Sequence, residues 1–408
     1  MAFNTDVLHK GVVKDSSFGA TLTPIYQVSA FSYEKMEDLE KVFAGKSSGF
    51  AYTRIGNPTI AAFENRITAL EKGFAAVATS SGMAAITQCF LNFLSSGDEV
   101  IASSGLYGGT IQLFTLLKNF GITIKYAQSL SGENLEKLYT EKVKAIFVET
   151  ISNPSLEISD IQFLSDFAHS KQIPLVIDNT TATPFLCNPI DFGADIVIHS
   201  SSKYINGSSN GISGVIVDSG NFKWNSEKYP SLLEYAKFGK LAFLAKLRHD
   251  TWASVGGCLS PFNAYLNMIG LETLGLRMEK ICNNAFELAK ALSEISLISV
   301  NYPLLDTERN SKALAQKYLK GFAGGILTLR VGSKEKALEI INSLKLATIA
   351  SNIGDVRTLV IYPASTLYLH DTKEQMNAAG VFDDTIRVSV GIEDAQDLIA
   401  DFTSAIKK

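Results

Sequence analysis

Several patterns that would place a chain in a familiar functional class are missing here. The four cysteines, Cys89, Cys187, Cys258 and Cys282, are widely separated and form no C-x-x-C pair. They read as buried, reduced, structural thiols of a cytosolic protein. The five histidines, His9, His169, His199, His249 and His370, show neither H-E-x-x-H nor any paired spacing, so no metal site is expected. Neither G-x-G-x-x-G nor G-x-x-x-x-G-K-S/T occurs, which disfavours a dinucleotide or P-loop nucleotide site. Runs of like charge are absent too. A net charge of −4 and a pI near 5.8 lack the basic face of a nucleic-acid binder. The opening residues, Met1-Ala2-Phe3-Asn4-Thr5-Asp6, carry neither the basic patch nor the apolar core of a secretory signal. The most apolar stretch, 74–94, contains Thr79, Ser80, Ser81, Thr87, Gln88 and Asn92. A bilayer helix would not tolerate so many polar groups, so no membrane association is expected. There are no internal repeats and no low-complexity segments.

What is present is apolar and periodic. Hydrophobic residues make up 46% of the chain and charged residues 19%, enough to build a large packed core. From about residue 74, strand-like runs at 75–79, 99–102, 123–126, 145–149, 175–178, 195–199 and 214–217 alternate with helical segments such as 83–94, 110–119, 134–138 and 161–171. This repetition implies βαβ units, hence an α/β fold with a mostly parallel central sheet and helices on both faces. Ligands of such sheets gather at the carboxyl ends of the strands, where Ser81, Gly82, Met83, Tyr107, Glu149, Asp178 and Lys203 fall. The residues before the sheet hold few strong elements and are better suited to packing on another subunit. Within them, Asn57 as N-cap and Pro58 at the first helical position predict a helix start. Beyond the sheet, 261–295 reads as one long helix or two joined near Gly275. Strands at 326–331 and 386–390 with helices at 334–344 and 395–406 then suggest a smaller α/β C-terminal domain. The expected division is an N-terminal arm, 1–58, a ligand-binding domain, 59–256, and a C-terminal domain, 257–408.

The chemistry concentrates at strand ends. In Ile196-Val197-Ile198-His199-Ser200-Ser201-Ser202-Lys203-Tyr204, three apolar residues lead into hydroxyls with an amine directly behind. A lysine that forms an imine beside a bound phosphate ester needs this arrangement, although a polar turn with a solvated lysine has the same pattern. Thr79-Ser80-Ser81-Gly82-Met83 closes a strand and opens a helix whose free N–H groups would hold a phosphate; a plain serine cap is the alternative. Asp178 ends the apolar run Leu175-Val176-Ile177. It would keep a pyridine nitrogen protonated, or simply cap a turn. Tyr107, in Ser104-Gly105-Leu106-Tyr107-Gly108-Gly109-Thr110, is free to lie on a planar cofactor or to pack on its own helix. Arg54, in Tyr52-Thr53-Arg54, would pair with a phosphate through its fork or remain a surface arginine.

Together these segments, with Ile55-Gly56-Asn57-Pro58-Thr59 and Glu149-Thr150-Ile151-Ser152-Asn153-Pro154, resemble the pyridoxal-phosphate enzymes of cysteine and methionine metabolism, the family of cystathionine γ-synthase and methionine γ-lyase. The resemblance spans nearly the whole chain. It implies an aspartate aminotransferase-like, fold type I transferase that uses pyridoxal 5'-phosphate. By the same resemblance Lys203 carries the cofactor and moves protons, Asp178 pairs with the ring nitrogen, and Tyr107 stacks on the ring. Ser81, Gly82, Met83, Ser200 and Ser202 hold the phosphate, joined by Tyr52 and Arg54 from a neighbouring subunit. Asn153 lies near the cofactor's phenolic oxygen. Arg387, in Ile386-Arg387-Val388-Ser389-Val390-Gly391, binds the substrate carboxylate, supported by Asn352, Tyr52 and Asn153. A cytoplasmic homotetramer, a dimer of dimers, is implied as well.

The stretches 214–224, 238–243 and 257–274, with Asn352-Ile353-Gly354-Asp355, are more similar to the O-acetylhomoserine sulfhydrylase branch than to the cystathionine enzymes. That branch implies γ-replacement on O-acetyl-L-homoserine by sulfide, yielding homocysteine and acetate in methionine biosynthesis. Two features depart from it: Ser208 stands in place of a histidine, and the segment near the substrate entrance reads Tyr362-Pro363-Ala364-Ser365-Thr366-Leu367-Tyr368. The sulfur donor (sulfide, methanethiol or a protein-bound thiocarboxylate) and the acetyl or succinyl leaving group therefore stay open. So does a γ-lyase or cystathionine γ-synthase-type reaction. A non-catalytic binding protein is hard to reconcile with Lys203, Asp178, Tyr107 and Arg387 in one chain.

Overall fold

The computed structural model describes every residue except 1, 16, 226, 308 and 370, so His370 lies outside the described residues. Seven apolar runs form the larger sheet: β1 (Ala75–Thr79), β2 (Glu99–Ser103), β3 (Thr123–Ala127), β4 (Val143–Glu149), β5 (Leu175–Asp178), β6 (Ile196–His199) and β7 (Gly214–Asp218). Their order is β1-β7-β6-β5-β4-β2-β3. The strands from β6 to β3 pair in parallel, whereas β7 is antiparallel to both its neighbours, β6 and β1. The mostly parallel sheet agrees with the repeated strand–helix pattern, and the reversed strand is a local exception. Residues 200–213 join β6 to β7 without a helix, so nothing carries the chain back across the sheet as a parallel neighbour requires.

Both faces of this sheet are covered, which is why its strands are apolar throughout rather than alternating. On one face Ala78, Val148, Ile177 and Val197 pack with Phe63, Met268 and Ile281. On the other, Val77, Phe147, Val176 and Ile198 pack with Phe90, Phe93, Phe114 and Trp252. The register sets Thr79 against Gly214, Val215 against His199, Ile198 against Asp178 and Asp178 against Glu149. The carboxyl ends of β1, β4, β5 and β6 therefore share one edge.

A five-stranded sheet follows: β8 (Ser299–Asn301), β9 (Ile326–Arg330), β10 (Thr348–Ile349), β11 (Leu359–Ile361) and β12 (Thr385–Ser389), in the order β10-β11-β12-β9-β8. The segment 261–295 is two helices, Pro261–Glu272 and Leu274–Ser293, joined at Thr273, close to Gly275 as expected. Gly275 has another use. A Cβ there would lie 1.8 Å from Asn4 Oδ1, so its absence lets the start of the chain lie against the helix. The second helix spans two cores, placing Met278 and Ile281 under the large sheet and Leu288 and Leu292 under the small one.

The N-terminal region divides in two. Its helix Phe3–His9 packs on its own chain, with Val7 in the large core and Phe3 edge-on to Phe185. Farther along, Phe18, Leu22, Ile25, Val28, Met36, Phe43, Tyr52 and Ile55 are exposed. Asn57 caps the helix Pro58–Glu71 by accepting from the Thr59 N–H at 2.9 Å. All four cysteines are free thiols; Cys89, Cys187 and Cys282 are buried, but Cys258 is only partly so. Among the described residues no helix is long and apolar enough to cross a membrane.

Candidate active site

A cavity of about 400 Å³ opens at the shared edge of the large sheet. Its floor is the turn after β6, and its first wall is the start of the helix Gly82–Phe93. A Cβ at Gly82 would sit 2.5 Å from the Ser200 Cβ. Only glycine lets the helix N-terminus and the Ser200 turn close into one cradle. Ser200 and Ser202 line the cavity, while the intervening Ser201 turns inward and donates to the Ser213 hydroxyl at 2.9 Å. The Ser200 N–H donates to Thr180 Oγ1 at 2.8 Å, tying the turns after β5 and β6 together. Ser81 caps the helix by accepting from the Ala84 N–H at 3.0 Å. Met83 completes this wall. Free helix N–H groups with adjacent hydroxyls are the donor set that a phosphate ester takes.

Two carboxyl groups enter from neighbouring strand ends. Asp178 Oδ1 accepts from the Thr180 N–H at 2.9 Å, and exclusion of water pushes its pKa upward. Glu149 is buried and grips two backbone amides: Oε1 accepts from Tyr107 N–H at 2.7 Å and Oε2 from Asn153 N–H at 3.0 Å. Burial first, and then the charge of Asp178, push its pKa up to about 8. Such a carboxyl pair calls for a cation between or beside it, and a protonated pyridine ring meets that need. Tyr107 stands at the cavity mouth, partly exposed.

Lys203 projects from the floor, and its Nζ donates to Asn352 Oδ1 at 2.5 Å. Burial, followed by the charge of Arg387, pushes its pKa down to about 8, so a usable fraction of neutral, nucleophilic amine exists near neutrality. Arg387 arrives from β12 of the small sheet and is buried. Its Nη2 donates to the Asn352 carbonyl at 2.9 Å and its Nη1 to Asn153 Oδ1 at 3.4 Å, while its buried Nε has no partner among the described residues. A buried guanidinium with an unmet donor is a receptor for a carboxylate.

All the expected site residues meet here except Tyr52 and Arg54, which stand outside this cavity of the single chain. Both are exposed; the Arg54 guanidinium lies 5.5 Å from the Tyr52 ring centroid and donates to the Ala253 carbonyl. The sequence places Glu149 at a strand end without disclosing that it holds the Tyr107 and Asn153 backbones. Thr180, Ser209, Ile212 and Leu367 also line the cavity. Thr180 stands two residues after Asp178, and Leu367 belongs to the segment expected near the substrate entrance. No local pattern marks Ser209 or Ile212, which the connection after β6 brings in.

A strand-end lysine, a strand-end carboxylate and a glycine-built cradle of N–H groups and hydroxyls are the set that a pyridoxal-phosphate enzyme requires. Over residues 4–407 the chain matches the family described as Cys/Met metabolism PLP-dependent enzyme, and it belongs to that family. It is 40% identical to the homocysteine synthase of Schizosaccharomyces pombe, over 99% of this chain and 98% of that protein. Against the O-acetyl-L-homoserine sulfhydrylase of Leptospira meyeri the identity is 36%, over 99% of this chain and 96% of that one. Its fold superposes with a TM-score of 0.92 and 34% identity, covering all of both chains, on a Campylobacter jejuni protein described as an O-acetylhomoserine (thiol)-lyase, whose crystal structure carries a pyridoxyl-lysine phosphate.

Proposed function

We propose that this enzyme performs γ-replacement on O-acetyl-L-homoserine with sulfide, releasing L-homocysteine and acetate in methionine biosynthesis. The observation that carries this reading is the Arg387–Asn352–Lys203 arrangement. One residue, Asn352, receives the lysine amine on its side chain and the arginine on its carbonyl. An α-amino acid whose carboxylate sits on Arg387 thereby has its Cα held near Nζ. The full-length similarity to proteins named for O-acetylhomoserine chemistry supports the choice of substrate.

When bound, pyridoxal phosphate supplies an electron sink that acidifies the amino acid's Cα–H and then its Cβ–H. Asp178 would hold the proton on the ring nitrogen, and Tyr107 would lie against the ring. As a free amine, Lys203 Nζ would take the Cα proton as general base. Once it has handed that proton on, the same amine would remove one from Cβ as acetate departs from Cγ. Sulfide adds at Cγ, and the lysine returns the protons. Arg387 and Asn153 keep the substrate in place throughout.

Tyr52 and Arg54 of one chain are assigned to the phosphate site of its neighbour in a cytoplasmic homotetramer. Their position outside this chain's cavity and the exposed apolar residues around them support that assignment. The arm 1–58, the cofactor domain 59–256 and the C-terminal domain 257–408 are the corresponding division of labour. The deciding experiment assays O-acetylhomoserine, O-succinylhomoserine, O-acetylserine and cystathionine, each with and without sulfide. Sulfide-dependent homocysteine and acetate from O-acetylhomoserine are expected. Release of 2-oxobutyrate irrespective of sulfide would instead make the enzyme a γ-lyase.

A further inference from the structure

Ser209 and Asp355 have no part in the chemistry just described, yet they end a chain of hydrogen bonds that starts at Lys203. The lysine Nζ donates to Asn352 Oδ1 at 2.5 Å, and Asn352 Nδ2 donates to Ser209 Oγ at 2.8 Å. The Ser209 hydroxyl in turn donates to Asp355 Oδ2. Asp355 is 3% exposed, and its other oxygen accepts from the Arg357 N–H at 2.8 Å. Ser209 lines the cavity at its rim with φ at 54°, a backbone state that glycine adopts readily and serine seldom does. The two loops involved are pressed together: a Cβ on Gly354 would come 2.5 Å from the Tyr204 nitrogen, and the Val356 N–H donates to the Gly207 carbonyl at 2.9 Å.

The polarity of this chain is dictated from its buried end. An ionised carboxylate only accepts, so the Ser209 proton must point at Asp355. The hydroxyl then offers only lone pairs to Asn352, whose amide must turn its NH2 toward Ser209 and its oxygen toward Lys203. Without that order, the hydroxyl can donate to the amide oxygen instead. The amide then flips and presents N–H groups to the lysine. We propose that Asp355 and Ser209 are positioning residues for Lys203: they lock the Asn352 amide so that its oxygen holds the lysine amine where it meets the cofactor and the substrate Cα–H. This deepens the reading of Lys203 as base and cofactor anchor, on which it rests.

The test uses Ser209→Gly, Asp355→Asn and the double variant of the full chain. Glycine suits φ at 54°, which offsets part of the cost of leaving Asp355 Oδ2 without its hydroxyl donor. The thermal midpoint of Ser209→Gly is therefore expected to fall only modestly. The rate at which apoprotein captures pyridoxal phosphate on Lys203, followed by visible absorption, should nonetheless fall about tenfold or more, as for a misplaced reactive group. With any amino acid the enzyme turns over, kcat should fall by a similar factor and KM change less. Because both residues act through one chain, the double variant should be no slower in capture than the worse single variant. Wild-type capture in Ser209→Gly, or losses that multiply in the double variant, would overturn the proposal. Capture by apoprotein needs no homoserine ester, so failure of the substrate assignment leaves this measurement intact.

Discussion

Glu149 and Asp178 stand opposite each other in register on adjacent parallel strands, and the two carboxyl groups meet at the cavity. Like charges this close cannot both ionise cheaply away from water. Burial pushes both pKa values upward, and the charge of Asp178 adds to the shift of Glu149. A protonated ring nitrogen bound beside the pair would favour its ionised form.

A pH dependence follows. Glu149 has its folded-state pKa raised to about 8 from an ordinary 4.5. Between those values the folded apoprotein binds a proton that the unfolded chain has lost. Its contribution to stability is complete below the lower value and declines as pH rises toward the upper, by about 1.4 kcal/mol per pH unit for one proton. Thermal or urea unfolding of apoprotein from pH 5 to 8.5 should show the decline, and saturating pyridoxal phosphate should flatten it. Glu149→Gln should also flatten the apoprotein profile. At pH 5 that variant should have the lower midpoint, since one of the two amides from Tyr107 and Asn153 then faces an NH2 group, costing about 1–3 kcal/mol. The two profiles should converge and cross as the wild type declines with rising pH.

Asp178→Asn should keep much of the cofactor, because the phosphate cradle is untouched. Its rate should fall by about two to four orders of magnitude, the span of a lost acid–base partner. Near-normal turnover would remove Asp178 from the mechanism. The same variant relieves Glu149 of its charged neighbour, so the pH at which apoprotein stability declines should move downward.

Arg387→Met should weaken substrate binding and change the lysine as well. Since the charge of Arg387 helps to depress the Lys203 pKa, its removal should raise that pKa. The pH for half-maximal capture of pyridoxal phosphate by apoprotein should therefore shift upward. Arg387→Lys should restore the pH midpoint better than the KM, because a lysine cannot reproduce the guanidinium fork.

The shared-site arrangement is open to a complementation experiment. Arg54→Ala and Lys203→Ala are each expected to be inactive or nearly so. Mixed under conditions of proven subunit exchange, they should regain up to about a quarter of wild-type activity in hybrid sites. No recovery would mean that Arg54 and Lys203 serve the same chain's site.

The parts of the site that were legible in the sequence are those written within a few residues of a strand end. Ser200, Ser202, Lys203, Asp178 and Gly82 belong to turns whose hydroxyl, carboxyl and glycine residues follow apolar runs. The relay to Lys203 was not legible, because Asn352 lies 149 positions away and its amide is oriented by Ser209, 143 positions back. Glu149 was visible as a strand-end carboxylate, but its two backbone partners are set by loop geometry. For the fold, periodicity marks strands without stating their direction, which is why β7 reads as one more βαβ strand. The helix junction near Gly275 is legible, but the reason for the glycine is not, since Asn4 approaches it from the far end of the chain.

The helix Leu274–Ser293 works as a strut between the two halves of the catalytic apparatus. Its first turns are embedded beneath the sheet that carries Lys203, and its last turns beneath the sheet that carries Arg387. The span between amine and carboxylate receptor is thus gauged by a rod that lines neither. Trimming Ile281 or Leu288 to alanine would loosen one footing of that rod, costing about 2–5 kcal/mol in packing. The injury would be read in the active site as a slackened grip on the substrate, with every residue of the cavity still in place.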